Sequence, residues 1–281
     1  MSDVTIRPFA SIEDYRACVA LQEETWGEGF SERVSPAILK VAQILGGVSS
    51  GAFAEDGRLV GFVFGLTGQR NGEVVHWSDM LAVRAELRDT GLGRRLKAYQ
   101  REEVLSRGVE KMFWTFDPLR SRNAHLNVTR LGAVVREYVP DMYGDTDSPL
   151  HRGIGTDRFV ALWLLSSARV ERRVTELLSG SGGVRINVDP DVPFALSADV
   201  TGRWPRPGEP DLTLENAAMR VAIPSDVGAL MQEDPQLAVA WRRATRAAFA
   251  HYIARGYEVQ EFERGGAVSA YLLGKIVEDE S

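Results

Sequence analysis

The chain has 281 residues, 44% of them hydrophobic, with 33 basic and 39 acidic side chains and a formal net charge of -6. This length can bury a sizeable core in one large domain or two ordinary ones, and two are favoured. The acidic balance argues against a protein that coats nucleic acid or an anionic membrane, and the single cysteine, Cys18, excludes an intrachain disulfide or a thiolate metal cluster.

The apolar stretches of the chain are short. None is long enough to cross a bilayer, and the opening residues MSDVTIRPF lack a basic segment followed by an apolar one. Cys18 lies on an amphipathic stretch, where a buried and unreactive thiol is expected. We therefore expect a soluble, cytoplasmic protein with no nucleic-acid partner and no membrane partner.

The chain begins with a predicted strand and two predicted helices. Residues 4–9 alternate in polarity like a strand. Ser11 is typical of a helix N-cap, and Ser35 followed by Pro36 is typical of the start of a second helix.

A meander of three antiparallel strands follows, over 51–55, 59–67 and 74–83. The Asp-Gly pair at 56–57 and the Asn-Gly pair at 71–72 favour tight hairpin turns between them. After these strands the apolar period changes to that of a helix, which ends near Gly108.

Beyond Gly108 the sequence predicts a strand at 111–116, a helix from about 123 to 131 and a strand at 158–165. This order of elements predicts an α/β fold with a central mixed sheet flanked by helices. It does not match a doubly wound parallel sheet.

The chain is divided here into a first domain at 1–168 and a smaller C-terminal α+β region at 169–281. The SGSGG segment at 179–183 is typical of a flexible linker. The C-terminal region contains a predicted helix at 235–255 and strands at 257–262 and 268–273. It could cap a binding site, extend the sheet or mediate a homodimer, and the sequence leaves these alternatives open.

The segment most indicative of function is RDTGLG, from Arg88 to Gly93, which lies between an apolar strand and a basic helix start. A helix start leaves backbone N–H groups unpaired, and glycines at 91 and 93 let a phosphate approach the backbone closely. Four cations and one acid, Asp89, occur from Arg88 to Lys97. The segment therefore predicts a site for a polyphosphate ligand.

Two other nucleotide-binding patterns do not fit this turn. In a dinucleotide fingerprint the glycines directly follow the strand and include a third, whereas here seven residues intervene and position 96 is leucine. The Gly-Lys-Ser or Gly-Lys-Thr of a P-loop is absent. The remaining alternative is a loop that the glycines merely shape.

The segment MLAVRAELRDTGLGRRL, residues 80–96, resembles motif A of the GNAT superfamily of N-acyltransferases, in which Gln or Arg precedes two closely spaced glycines after the fourth strand. The resemblance covers the order of elements from residue 4 to 165. It implies the GNAT-type sheet, mixed and mostly antiparallel, and an acyl-CoA cosubstrate such as acetyl-CoA or succinyl-CoA. The residues implied to bind CoA are Leu81, Ala82, Val83, Arg88, Asp89, Thr90, Gly91, Leu92, Gly93, Arg94 and Asn123.

An amine that attacks a thioester directly needs a group to take its proton. Asp79 is the first candidate, because it precedes the residues implied to contact pantetheine. His76 and Glu24 are weaker candidates, and a structural role is the alternative for each.

Many GNAT enzymes carry a tyrosine in the helix after the fifth strand, which protonates the departing CoA thiolate. Val128 stands near that position here. The thiolate would leave unassisted or take a proton from Tyr138, Tyr143 or water.

Polar residues are concentrated in two segments, 114–127 and 148–159, each adjoining a predicted strand, where loops commonly bind substrates. The candidates for acceptor binding are Asp117, Arg122, His125, His151, Asp157 and Arg158. Their alternative roles are turn caps and salt bridges. These segments, with residues 240–262, resemble a bacterial GNAT subgroup associated with N-acylamino acid racemases, which implies an amino acid acceptor.

Two further patterns resemble known functional motifs but lie in a different structural context. Residues 47–51 match the GxSxG pattern of hydrolases, but a helix precedes and a strand follows, so a connecting loop is predicted. The four histidines lack metal-ligand spacing, and no metal site is predicted. The alternative to an N-acyltransferase is a catalytically weak acyl-CoA-binding or sensing module with a protein partner.

Overall fold

The computed structural model describes residues 4–144, 153–179 and 189–276. The helices are α1 (Ile12–Trp26), α2 (Pro36–Ile44), α3 (Leu92–Leu105), α4 (Ser121–Ala124), α5 (Ala168–Ser179), α6 (Val227–Glu233) and α7 (Pro235–Ala254). The strands are β1 (Thr5–Pro8), β2 (Val48–Phe53), β3 (Leu59–Arg70), β4 (Glu73–Val83), β5 (Lys111–Phe116), β6 (Val134–Val139), β7 (Arg158–Leu164), β8 (Phe194–Leu196), β9 (Ala198–Asp199), β10 (Arg206–Pro207), β11 (Ala218–Pro224), β12 (Tyr257–Glu263) and β13 (Val268–Lys275).

The described residues divide into two compact units that alternate along the chain. The first unit contains residues up to 114 together with 164–171 and 177–179, and the second contains the remainder. Strand β5 passes from the first unit to the second after residue 114, and helix α5 contributes residues 172–176 to the second unit. The division of the sequence at residue 168 stays a prediction.

In the first unit the strand order is β1-β2-β3-β4-β5. Neighbouring strands are antiparallel except β4 and β5, which are parallel. In the second unit the order is β7-β6-β12-β13-β11-β8, antiparallel except for the β11–β8 pair. The mixed, mostly antiparallel sheet is therefore confirmed.

The first two helices begin at the capping residues that the sequence predicts. Ser11 caps α1 and forms a capping box with Asp14, while Ser35 caps α2 with Pro36 in its first turn. Cys18 is fully buried in the apolar cluster that α1, α2 and the sheet share, and burial raises the pKa of its thiol to about 12. The thiol is inert, as expected.

The predicted helix over 123–131 is only partly confirmed. The chain forms the short helix α4 and then a π-helical turn over His125–Arg130, in which the Leu131 N–H donates to the Leu126 carbonyl at 2.9 Å. Thr129 holds the wider turn, because its carbonyl accepts from Arg173 at 2.8 Å and its hydroxyl donates to the Phe262 carbonyl at 2.8 Å. Both partners are distant in sequence, so no local pattern indicates the turn.

The GxSxG segment at 47–51 is also placed differently from its predicted loop. Strand β2 begins at Val48, and Ser49 is buried with its hydroxyl donating to the Leu39 carbonyl at 2.7 Å. The loop prediction is wrong, because the segment continues the sheet. A strand followed by a strand does not form the strand-turn-helix elbow of a nucleophilic serine.

Within the described ranges, no helix has both the length and the apolar character needed to cross a membrane.

Candidate active site

The polyphosphate turn lies between β4 and α3. A short 3-10 turn over Ala85–Leu87 follows β4, and Gly91 then caps α3 with a φ of 91° and no side-chain capping bond. Asp89 also has a positive φ, of 62°. A helix that begins on glycine, without a capping side chain, presents its first-turn N–H groups to a ligand.

Arginines surround this helix start. The Arg88 guanidinium donates to the Val83 carbonyl at 3.3 Å, and Arg95 donates to the Val4 carbonyl at 2.9 Å. The Arg94 guanidinium lies over Gly91, where an added Cβ would come within 3.0 Å of it. Lys97, by contrast, is buried under the sheet, so it adds no surface charge to the turn.

Strand β4 has a bulge just before the residues implied to contact pantetheine. Ser78 pairs with Gly65 and Met80 with Phe64, so Asp79 is the extra residue. On its other edge β4 pairs with β5 at His76 and Trp77 alone, within these two fully described strands. The Leu81–Val83 segment thus pairs with β3 and leaves an edge for an extended ligand.

Asp79 is exposed to solvent at the bulge, but the protein packed around one side of its carboxyl removes part of its hydration. This desolvation raises the pKa of Asp79, and the negative charge of Glu32 raises it further. A carboxylate with a raised pKa is a stronger base than an ordinary aspartate. Glu24, the other acidic candidate, forms an ion pair with Arg84.

His76 begins a buried chain of hydrogen bonds that crosses from β4 to α3. Its Nδ1 contacts the Thr67 hydroxyl at 3.0 Å, and that hydroxyl donates to the Gly46 carbonyl. Its Nε2 lies 3.0 Å from the Gln100 amide nitrogen. These partners assign the tautomer with hydrogen on Nδ1. Burial, with the charges of Lys97 and Arg107, lowers the pKa of His76 to about 3.

Lys97 ends the same chain beneath the bulge. Its ammonium donates to the Ser78 hydroxyl at 2.6 Å and to the Gln100 carbonyl at 3.2 Å, and it lies 4.1 Å from the centre of the Trp114 ring. Burial lowers the pKa of Lys97 to about 7. These hydrogen bonds therefore hold the side chain of Ser78, the residue before Asp79, in place.

Replacing Lys97 with methionine is expected to change how stability depends on pH. An ordinary lysine has a pKa of about 10.4, so between about pH 7 and 10 the unfolded chain holds a proton that folded Lys97 has lost. Wild-type stability should gain up to about 1.4 kcal/mol per pH unit in that window relative to the variant. Urea unfolding of both proteins at about pH 6.5 and 9 measures this gain. The exposed Lys40→Met is the control, and an equal wild-type-to-variant difference at both pH values would contradict the prediction.

The second unit holds the predicted acceptor residues. Asp117 is buried just after β5, and Arg158 is buried at the start of β7 with its guanidinium 5.1 Å from the centre of the Tyr143 ring. Arg122 and Asn123 are exposed on α4. His151 lies outside the described residues.

His125 is half-buried in the π-helical turn. Burial, with the charges of Arg264 and Arg130, lowers its pKa, and no hydrogen-bond partner contacts its buried Nδ1 in the described part of the chain.

Sequence reasoning missed two arginines of α7. Arg242 is buried and bonds to Asp117, while Arg246 binds Asp157 at 2.9 Å and Asp141 at 2.8 Å. Arg242 lies on the face of α7 that also buries Ala238, Trp241 and Thr245. An arginine at an apolar helical position was the available signal.

Comparison with known protein families finds a match in the N-terminal part of the chain. Residues 15–132 match the model of the acetyltransferase (GNAT) family. This segment belongs to the GNAT family. The GNAT domain thus includes β4, the bulge, the glycine-capped helix and Asn123.

Solved structures similar to the chain are also acetyltransferases by their names. The yncA protein of Salmonella typhimurium, solved with acetyl-CoA, is 21% identical over 59% of this chain and 96% of its own, with a TM-score of 0.45. The ribosomal-protein-S18-alanine N-acetyltransferase of Escherichia coli is 19% identical over 59% and 96%, with a TM-score of 0.45. A phosphinothricin acetyltransferase of Sinorhizobium meliloti, solved with acetyl-CoA, is 15% identical over 57% and 86%, with a TM-score of 0.46. No curated protein matches the sequence significantly.

Proposed function

We propose that this protein transfers an acetyl or succinyl group from its CoA thioester to the primary amine of an amino acid or similar small molecule. The observation that carries the proposal is the helix start at Gly91, which has no side-chain cap and follows a strand whose pairing with β5 stops at Trp77. Its N–H groups suit a pyrophosphate, and the Leu81–Val83 edge suits pantetheine. The residues present fit acyl-CoA.

In this proposal the backbone N–H groups of the β4 edge polarise the thioester carbonyl as negative charge develops on its oxygen. The amine nitrogen attacks the carbonyl carbon, the carbon–sulfur bond breaks and CoA leaves as thiolate. Asp79 takes the proton of the amine. Of the three candidates it is the most suitable, since His76 is buried with both ring nitrogens bonded and Glu24 is paired with Arg84.

The departing thiolate has no tyrosine at the position where many GNAT enzymes carry one. Val128 is fully buried there. Tyr138 donates its hydroxyl to Asp157, and burial together with that bond raises its pKa, so it is a poor acid for a thiolate. Water is the proton donor that the proposal keeps, and a thiolate, with a thiol pKa of about 8.5, also leaves without a proton donor.

Val128 also favours the alternative of a sensing module, which binds acyl-CoA without turning it over. One experiment separates the two functions. Acetyl-CoA and succinyl-CoA are incubated with a panel of amines, and free CoA is measured with a thiol reagent, beside calorimetry of acyl-CoA binding. Amine-dependent CoA release supports the transferase, and saturable binding with no turnover supports the sensor.

A further inference from the structure

A buried ion pair joins the end of β5 to helix α7 within the second unit. The Arg242 Nη2 lies 2.7 Å from the Asp117 Oδ1, and both side chains are only 4% exposed. A buried pair of charges costs desolvation energy that only close bonding offsets. Whether the remaining polar atoms of the pair are hydrogen-bonded therefore decides how large this cost is.

Backbone groups hold both partners in place. The Leu119 N–H donates to the Asp117 Oδ1 at 2.9 Å, and the Arg242 Nε donates to the Ile154 carbonyl at 3.0 Å. The Tyr271 hydroxyl fixes the same turn by donating to the Pro118 carbonyl at 2.7 Å. The two side chains are thus oriented before any ligand arrives.

One polar atom on each side of this pair is left over. The Asp117 Oδ2 and the Arg242 Nη1 are buried and have no hydrogen-bond partner among the residues that the structure describes. Buried polar atoms, charged ones above all, are rarely left unsatisfied in native proteins, and an exception calls for a ligand or an ordered water.

The two atoms have complementary chemistry. The Oδ2 is an anionic acceptor that suits an ammonium group, and the Nη1 is a cationic donor that suits a carboxylate. A free amino acid carries both groups on one carbon. We propose that Asp117 and Arg242 bind the α-ammonium and the α-carboxylate of a free amino acid.

This inference deepens the proposed function and rests on it only for the statement that the bound amino acid is the acceptor. Binding itself involves residues of the second unit alone. The pair can therefore be tested without acyl-CoA.

Arg246 supplies a matched control on the same helix, one turn away. Its guanidinium bonds to Asp157 and Asp141, so its partners lie within the protein. Arg246→Gln removes the same charge from α7 and leaves the Asp117–Arg242 pair intact.

The test measures binding of each of the twenty common amino acids to the full chain by calorimetry, alongside the corresponding amino acid amides. At least one amino acid should bind, and its amide, which lacks the carboxylate, should bind at least about tenfold more weakly. Arg242→Gln should remove this preference for the acid, and Arg246→Gln should keep it. Asp117→Asn should weaken the acid and the amide alike.

Three results would overturn the inference. If no amino acid binds the wild type, the pair holds an internal water only. If acid and amide bind the wild type equally, or if the preference survives in Arg242→Gln, the guanidinium does not bind the carboxylate. The wild-type comparison of acid and amide remains decisive should the variants fail to fold.

Failure of the proposed function has a different signature. Amino acid binding with the expected preference, but with no binding or consumption of acetyl-CoA or succinyl-CoA, would remove the transferase and leave the amino acid site standing.

Discussion

Replacing Gly91 with valine is expected to lower the affinity for acetyl-CoA at least about 100-fold, because two or more hydrogen bonds to a charged pyrophosphate, each contributing about 1.5–3 kcal/mol, would be lost. The φ of 91° at this position is one that a β-branched residue rarely adopts. An added Cβ would also meet the Arg94 guanidinium at 3.0 Å. Calorimetry with acetyl-CoA measures the loss.

Backbone strain alone must be separated from loss of the binding site. Gly57, in the β2–β3 turn of the same unit, has a φ of 81° and open space around its Cβ direction. Gly57→Val should therefore lose comparable stability in urea and still bind acetyl-CoA normally. Gly91→Ala, with a smaller side chain, is the second variant. Normal binding by a folded Gly91→Val protein would show that the pyrophosphate site lies elsewhere.

The sequence alone predicts those parts of the fold that local chemistry determines. The Ser11 and Ser35 caps and the Asn-Gly turn depend on residues adjacent in the chain, and these occur as predicted. At the Asp-Gly pair only Gly57 has a positive φ, and residues 54–58 connect the two strands. The glycine-capped helix start at Gly91 is local in the same way. Its role in binding CoA stays a prediction.

Features that depend on contacts between residues distant in sequence could not be predicted from the sequence alone. The π-helical turn depends on Arg173 and Phe262, which lie more than forty residues beyond Thr129 in sequence. Lys97 belongs by sequence to a cluster of cations, yet packing turns it under β4. The pairing of Asp117 with Arg242 spans 125 positions and needed the structure to bring it together.

Replacing Asp79 with asparagine is expected to lower kcat by about 100- to 10,000-fold, the usual contribution of a positioned general base. The affinity for acetyl-CoA should stay unchanged, because the pyrophosphate turn and the β4 edge remain. Asparagine is close in size to aspartate, so the bulge should keep its geometry. Steady-state kinetics and calorimetry on the same protein separate the two quantities. An unchanged kcat would show that another group takes the proton.

The pH profile gives an independent test of the same role. A base acts as carboxylate, so activity should fall as pH drops through the pKa of Asp79, which partial desolvation of the carboxyl and the charge of Glu32 raise above that of an ordinary aspartate. Glu32→Gln removes one of these two causes. The acid limb of kcat/KM should then shift to lower pH, while Asp79→Asn should lose that limb altogether. A limb that stays in place in both variants would assign the titration to a group other than Asp79.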